Sequence, residues 1–325
     1  VGDAVLGIGI VVVDTTNTAE IKSAAGKTIS GASALVAATT RHSLAGAGLA
    51  GTAAAGLAAQ AAIATFADSS TTSATLSWGN VQLGGALTVR ASDTTTLDAI
   101  AGAVGISIGG ASASAGAGVG VFTKDTTATI DDSADITASD VTVDAESSEA
   151  ITDTTAGLGA SSAAGSAGAI SVFVVTDTTT AEIGSGVEVL ATGNVAVLAN
   201  DATTVDTITG GAGIGGVAGI GASIAVAVVG ATTHATIADT ADVTALANGA
   251  ALTYVTGYDG AFTPYDVANL FKAPSIDTTK VGASGGSAGN PISAADAEAA
   301  GLALLTEQRN STKTTGTASG VIVNA

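Results

Sequence analysis

A short phrase, most often Thr-Ala-x-Ile, returns at an almost constant interval, and that interval limits the fold more than any other feature of the chain. It reads Thr18-Ala19-Glu20-Ile21, Ser73-Ala74-Thr75-Leu76, Thr127-Ala128-Thr129-Ile130, Thr180-Ala181-Glu182-Ile183 and His234-Ala235-Thr236-Ile237. The closing aliphatic residues are Ile21, Leu76, Ile130, Ile183 and Ile237, and a fixed period of about 54 residues between them marks a repeat architecture. A second phrase follows in step: Leu87-Thr88-Val89, Val141-Thr142-Val143 and Val195-Ala196-Val197. Turn-forming residues stand between the two, as in Asp131-Asp132-Ser133, Gly184-Ser185-Gly186 and Gly193-Asn194. A unit of this size with short apolar segments cannot bury its apolar face alone, so successive units must stack.

The third segment of each repeat, at 42–67, 99–123, 154–176 and 207–238, is rich in Gly and Ala and free of Asp, Glu, Lys and Arg. Its length would suit a membrane-spanning helix. Its pattern does not, because the aliphatic residues alternate with period two, as at Ile106/Ile108, Ile170/Val172/Val174 and Ile224/Val226/Val228. These segments are expected to be strands that do not span a membrane. The same alternation sends the Ala and Ile of the recurring phrase into a core and Glu20, Thr75, Thr129, Glu182 and Thr236 to water.

The reading is an all-β, repeat β-solenoid (parallel β-helix-like) with a small helical insertion. Strands of ordinary length would give about three coils of ~18 residues per repeat. A string of antiparallel sandwich units is the alternative architecture. Three stretches follow: solenoid repeats over 1–247, an insertion over 248–312 and a resumed solenoid strand over 313–325. The insertion holds all three Tyr and all three Pro of the chain. Thr263-Pro264-Tyr265-Asp266 and Ser293-Ala294-Ala295-Asp296 have the form of helix N-termini, the second helix running to about Arg309. Tyr254, Tyr258, Phe262, Tyr265 and Phe271 are the candidate partner-contact residues, at least two of the rings being expected to stay accessible.

The stretch TTAEIGSGVEVLATGNVAVLA at 179–199, preceded by GAISVFVVTD, resembles the repeats of very large bacterial surface proteins of the leukotoxin-like and filamentous-haemagglutinin-like adhesin class. The likeness runs over residues 1–247 and 311–325. It implies a β-helical form displayed outside a Gram-negative type cell, as part of a stalk or filament, and it brings no catalytic residues with it.

The composition agrees with a partner that is not nucleic acid. Asp and Glu number 28 against 9 Lys and Arg, a net charge of -19, and no basic run is present. There is no Cys, so neither a disulfide framework nor a thiolate zinc site can form. No catalytic, cofactor-binding or metal-binding residue is assigned, and no enzyme activity or cofactor is expected. His234 takes a position held elsewhere by Thr or Ser, on the solvent side, and His42 has no carboxylate near it in sequence. Asp131, Asp132 and Asp135 form the densest acidic group; it reads as a turn, with calcium as the minor alternative and Lys124 the nearby cation. Gly210 to Gly216 imitates a dinucleotide loop without the helix that such a loop requires.

The expected function is therefore an extracellular, cell-surface structural protein. Its partners would be further copies of itself, head to tail, and host or partner-cell surface glycans. The alternative is a solenoid that binds polysaccharide or ice, suggested by Thr94-Thr95-Thr96 and Thr178-Thr179-Thr180. Joining Ala325 to a second Val1 would set Ile237 and the next Ile21 close to two repeats apart. On that reading Val1 and Ala325 lie at opposite ends of an elongated body, each an open rung.

Overall fold

The computed structural model describes residues 2–24, 26–77, 79–131, 133–264 and 302–325. It is a parallel β-solenoid in which each repeat is one coil. Coil 1 comprises β1 (Asp3–Lys22), β2 (Thr28–Gly31) and β3 (Ala34–Ala54). Coil 2 comprises β4 (Ala58–Ser77), β5 (Gly79–Leu83) and β6 (Leu87–Ser107), and coil 3 β7 (Ala111–Ile130), β8 (Ala134–Ala138) and β9 (Val141–Ser161). Coil 4 comprises β10 (Ala164–Ile183), β11 (Glu188–Ala191) and β12 (Val195–Gly215), and β13 (Ala218–Ile237) and β14 (Asp242–Ala245) begin a fifth. Three sheets result. Sheet A has the order β1-β4-β7-β10-β13, sheet B β14-β11-β8-β5-β2, and sheet C contains β12-β9-β6-β3.

The recurring phrase sets the register. Ile21 pairs with Leu76, Leu76 with Ile130, Ile130 with Ile183 and Ile183 with Ile237. On sheet C, Leu87 pairs with Val141 and Val141 with Val195. Parallel pairing throughout the coils rules out the antiparallel sandwich. The coil count differs from the expectation of three per repeat because the long strands, such as β1 with 20 residues and β3 with 21 residues, far exceed ordinary strand length. The chain turns only inside each Gly/Ala segment, as at residues 55–57 and 108–110, and around the short strand, and alternation carries it unbroken between those points. A positive φ recurs at the corner from sheet A to sheet B, at Gly26, Gly79, Ser133, Gly186 and Thr240. Glycine adopts that conformation without cost, which suits three of the five positions.

The interior tapers. Near sheet B it is wide and apolar, with Leu76, Leu87, Val89, Ile130 and Ile183 among its fully buried residues. Farther along lies a second apolar layer around Phe66, Phe122 and Phe173. At the far tip sheets A and C almost touch: a Cβ on Gly159 would overlap the carbonyl oxygen of Ser166, and one on Gly157 that of Gly168. Outside, this tip carries bare aliphatic side chains; Ile108 and Val217 are 77% and 87% exposed, Leu49 64%.

The 248–312 stretch departs from the expected helical insertion. Residues 302–309, expected to end a helix, are extended in β16 (Leu302–Ala318). β16 pairs antiparallel with β15 (Leu252–Pro264) and with the tip half of β12. Pairing with these strands satisfies the backbone across the sheet, which outweighs the local helical pattern. The rest of the two expected helices lies outside the described residues. β17 (Val321–Asn324) then pairs parallel with β12, Val321 opposite Val195. Asn194 fixes this corner: its backbone N–H donates to Asp140 Oδ1 at 2.8 Å, and its Oδ1 accepts from the Gly320 N–H at 2.8 Å. On β12 the neighbouring strand is thus antiparallel over Asp206–Ala212 and parallel over Val195–Leu198.

Candidate functional site

Between the two apolar layers runs a belt of buried polar side chains that crosses coils 1 to 4. Strand alternation places them inward, and the parallel register aligns them in rows. On sheet A one row is Thr15, Ser70, Lys124 and Asp177. Facing it on sheet C are the rows His42, Thr95, Glu149, Thr203 and Thr40, Asp93, Ser147, Asp201. Lys124, Asp68, Asp93, Glu149 and Asp177 are each at most 2% exposed. Burying so many ionisable groups is costly unless each is paired.

The half of the belt toward coil 1 is paired. His42 Nδ1 meets Asp68 Oδ1 at 2.9 Å and its Nε2 meets the Thr15 hydroxyl at 3.1 Å. Lys124 Nζ donates to Asp93 and Thr95, and to the Ser70 hydroxyl at 3.2 Å, with Asp68 Oδ2 3.6 Å away. The Thr72 and Thr95 hydroxyls donate to Asp93 and Asp68 at 3.0 and 2.9 Å. Two carboxylates thus stand against one ammonium and one imidazole.

The half toward coil 4 is not balanced. Glu149, Asp177 and Asp201 bring carboxylate oxygens within 4.8 Å of one another. The Thr203 hydroxyl lies among them, 3.1 Å from Glu149 Oε2, 3.3 Å from Asp177 Oδ2 and 3.2 Å from Asp201 Oδ1. That hydroxyl has one proton to donate, and the Ser147 hydroxyl donates to Glu149 Oε1 at 2.8 Å. Lys124 Nζ is 4.0 Å from Glu149 and already engaged with Asp93. Burial first, then the neighbouring Asp177 charge, pushes Glu149 up to about 10. Burial and Asp177 likewise raise Asp201 to about 7, and burial raises Asp177 above the usual carboxylate range. Glu149 and Asp177 are close enough to share a proton, but no N–H or O–H donor reaches Asp177 Oδ1 or Asp201 Oδ2.

The residues singled out from sequence fall elsewhere. Tyr254 is half-buried on β15, in a cleft with Arg90, Asp144, Glu146 and Lys313. Its partner across the ladder is Gly316, where a Cβ would overlap the Thr256 methyl at 2.7 Å and touch the Tyr254 ring at 3.4 Å. Tyr258 and Phe262 lie on β15 opposite Lys313 and Arg309, their side chains outside the described residues, as are Tyr265 and Phe271 altogether. His234 is exposed, as expected. Asp135 is the second residue of β8, paired with Glu188, Asp132 lies outside the described residues, and the three-carboxylate group is instead the one built by Glu149, Asp177 and Asp201. No described helix is long and apolar enough to cross a membrane.

Compared with known proteins, the chain matches no family model, no curated protein and no solved structure.

Proposed function

We propose that this chain is an extracellular structural element, a segment of an adhesin stalk or a filament subunit at a bacterial surface, with no turnover of substrate. The observation that carries this reading is where the chemistry sits. The belt's acid-base pairs and its three-carboxylate cluster lie between sheets A and C, at most 2% exposed for Asp68, Asp93, Lys124, Glu149 and Asp177, while Arg90 with Asp144 and Glu146 and Lys22 with Glu20 are ion pairs on the surface. A polymer substrate needs such groups on an outer face, flanked by donors for developing charge. Here they serve as an internal rivet between coils.

Among the described residues the coils stack in parallel register through three sheets, so the apolar inner face of each coil is covered only by its neighbours. The bare aliphatic tip adds surface for lateral contact, being larger than scattered apolar residues on a solvated protein. The ice-binding alternative needs an unbroken threonine row. The outward rows of sheet A, Thr16-Thr71-Asp125-Thr178-Thr232 and Thr18-Ser73-Thr127-Thr180-His234, are interrupted by Asp125, Ser73 and His234. A glycan contact finds its best support in the cleft of Tyr254, Arg90, Asp144 and Glu146.

Protease treatment of intact source cells, read with an antibody against this chain, tests the assignment. Loss of the epitope with cytoplasmic markers intact is the expected result. An epitope protected until the cells are lysed, or sugar release from a polysaccharide panel by the purified chain, would overturn it.

A further inference from the structure

We infer that Glu149, Asp177, Asp201 and the Thr203 hydroxyl form an internal calcium site that ties coil 3 to coil 4. Two independent features lead to it. The first is charge. Asp68 and Asp93 have His42 and Lys124, whereas three carboxylates crowd the other half of the belt with no further cation beside them among the described residues. The second is an unpartnered acceptor on a sealed side chain. Asp177 is 1% exposed, yet no donor reaches its Oδ1, and Asp201 Oδ2 beside it is also without one. Buried acceptors are seldom left so, and a carboxylate is the most expensive kind to leave.

The donor set selects the ion. All the atoms are hard oxygens, which excludes thiophilic metals and favours calcium, magnesium or manganese. Three oxygens no more than 4.8 Å apart have a common centre about 2.8 Å or less from each, close to the ~2.3–2.6 Å of calcium–oxygen bonds. Three carboxylates binding through both oxygens, with the hydroxyl, can supply the six to eight ligands calcium takes. Magnesium retains several waters, and a place where Glu149 and Asp177 are each 1% exposed is poorly suited to them. Glu149 comes from β9 of coil 3 and Asp177, Asp201 and Thr203 from β10 and β12 of coil 4, so a bound ion would bridge adjacent rungs.

The test uses the full chain, stripped with a chelator and titrated with calcium chloride by calorimetry and thermal unfolding. One tightly held calcium per chain is expected, with the melting temperature raised by roughly 4 °C at about 100 times the Kd. Asp177→Asn and Glu149→Gln should abolish that binding, and exposed Asp125→Asn should leave it unchanged. Thr203→Val removes one ligand oxygen and no charge, and should weaken binding at least tenfold; it keeps the test open if a carboxylate variant fails to fold by circular dichroism. The inference is overturned if the stripped chain takes up no calcium, if calcium binds equally to the wild type and to the folded site variants, or if magnesium binds as tightly.

Discussion

Lys124 is the single residue on which the paired half of the belt depends. Its Nζ contacts Asp93 and Thr95 and lies 3.6 Å from Asp68, all with fully buried side chains. Lys124→Ala leaves two buried carboxylates without their ammonium, and the expected loss is about 3–5 kcal/mol in chemical denaturation. Arg90, 47% exposed and bridged to Asp144 and Glu146, forms a surface ladder; Arg90→Ala should cost about 1 kcal/mol or less in the same assay. pH dependence follows from the other half. In the ion-free protein Glu149 rises from 4.5 to about 10 and Asp201 from 3.8 to about 7, because burial disfavours their charged forms. The folded chain therefore holds protons that the unfolded chain has released, so this contribution is full below about pH 4 and is lost as pH rises through 7 toward 10. The chelated protein should melt at a lower temperature at pH 9 than at pH 5, and Glu149→Gln should flatten that slope; a melting temperature that rises over this interval would contradict the assignment. Each of these acids looks isolated in the sequence, since Glu149, Asp177 and Asp201 belong to three different strands and meet only through the fold. A signal was nevertheless present. Lys124 has the parity of Ala128 and Ile130, Asp177 that of Ala181 and Ile183, Glu149 that of Val143 and Ala145, and Asp201 that of Val197 and Ala199. Extending the inward face past the aliphatic residues would have placed all four in the interior.

At the scale of the strand, the outcome depended on what alternation can and cannot specify. Ile21, Leu76, Ile130, Ile183 and Ile237 mark the register in the sequence alone, because aliphatic residues at one repeat interval must lie on one inner face. The length of the strands was less legible, as period-two alternation has no natural end and only the corner residues show where the chain turns. Residues 302–309 read as helix because Leu302 and Leu305 share a helical stripe, whereas pairing with β12 and β15 is a long-range term that no local window contains. The Gly-rich tip gives a direct test of close sheet approach. Gly159→Val would drive a branched side chain into the Ser166 carbonyl, and a loss of about 1–3 kcal/mol is expected. Gly84, with nothing near the place of a Cβ, should accept Ala at little cost. Equal stability of the two variants in urea unfolding would show that sheets A and C do not approach so closely.

For the molecule as a whole, one coil per repeat changes the proportions. A strand of 20 residues spans about 66 Å, while five stacked rungs rise only about 19 Å, so the described coils are long across and short along their stack. That differs from the elongated stack expected with three small coils per repeat. It also gives the chain an unusual response to load. Each coil holds about 54 residues, some 180 Å of extended chain, within a rise of about 4.8 Å. Force applied at the two chain ends should peel coils one after another, and force–extension traces should show steps of roughly 180 Å, the extended length of one coil; one larger step for the whole body would mean that the coils yield together. A tether made this way stays short and stiff when pushed or sheared gently, and lengthens nearly fortyfold per coil when overloaded, dissipating the pull before it reaches whatever the tether is attached to.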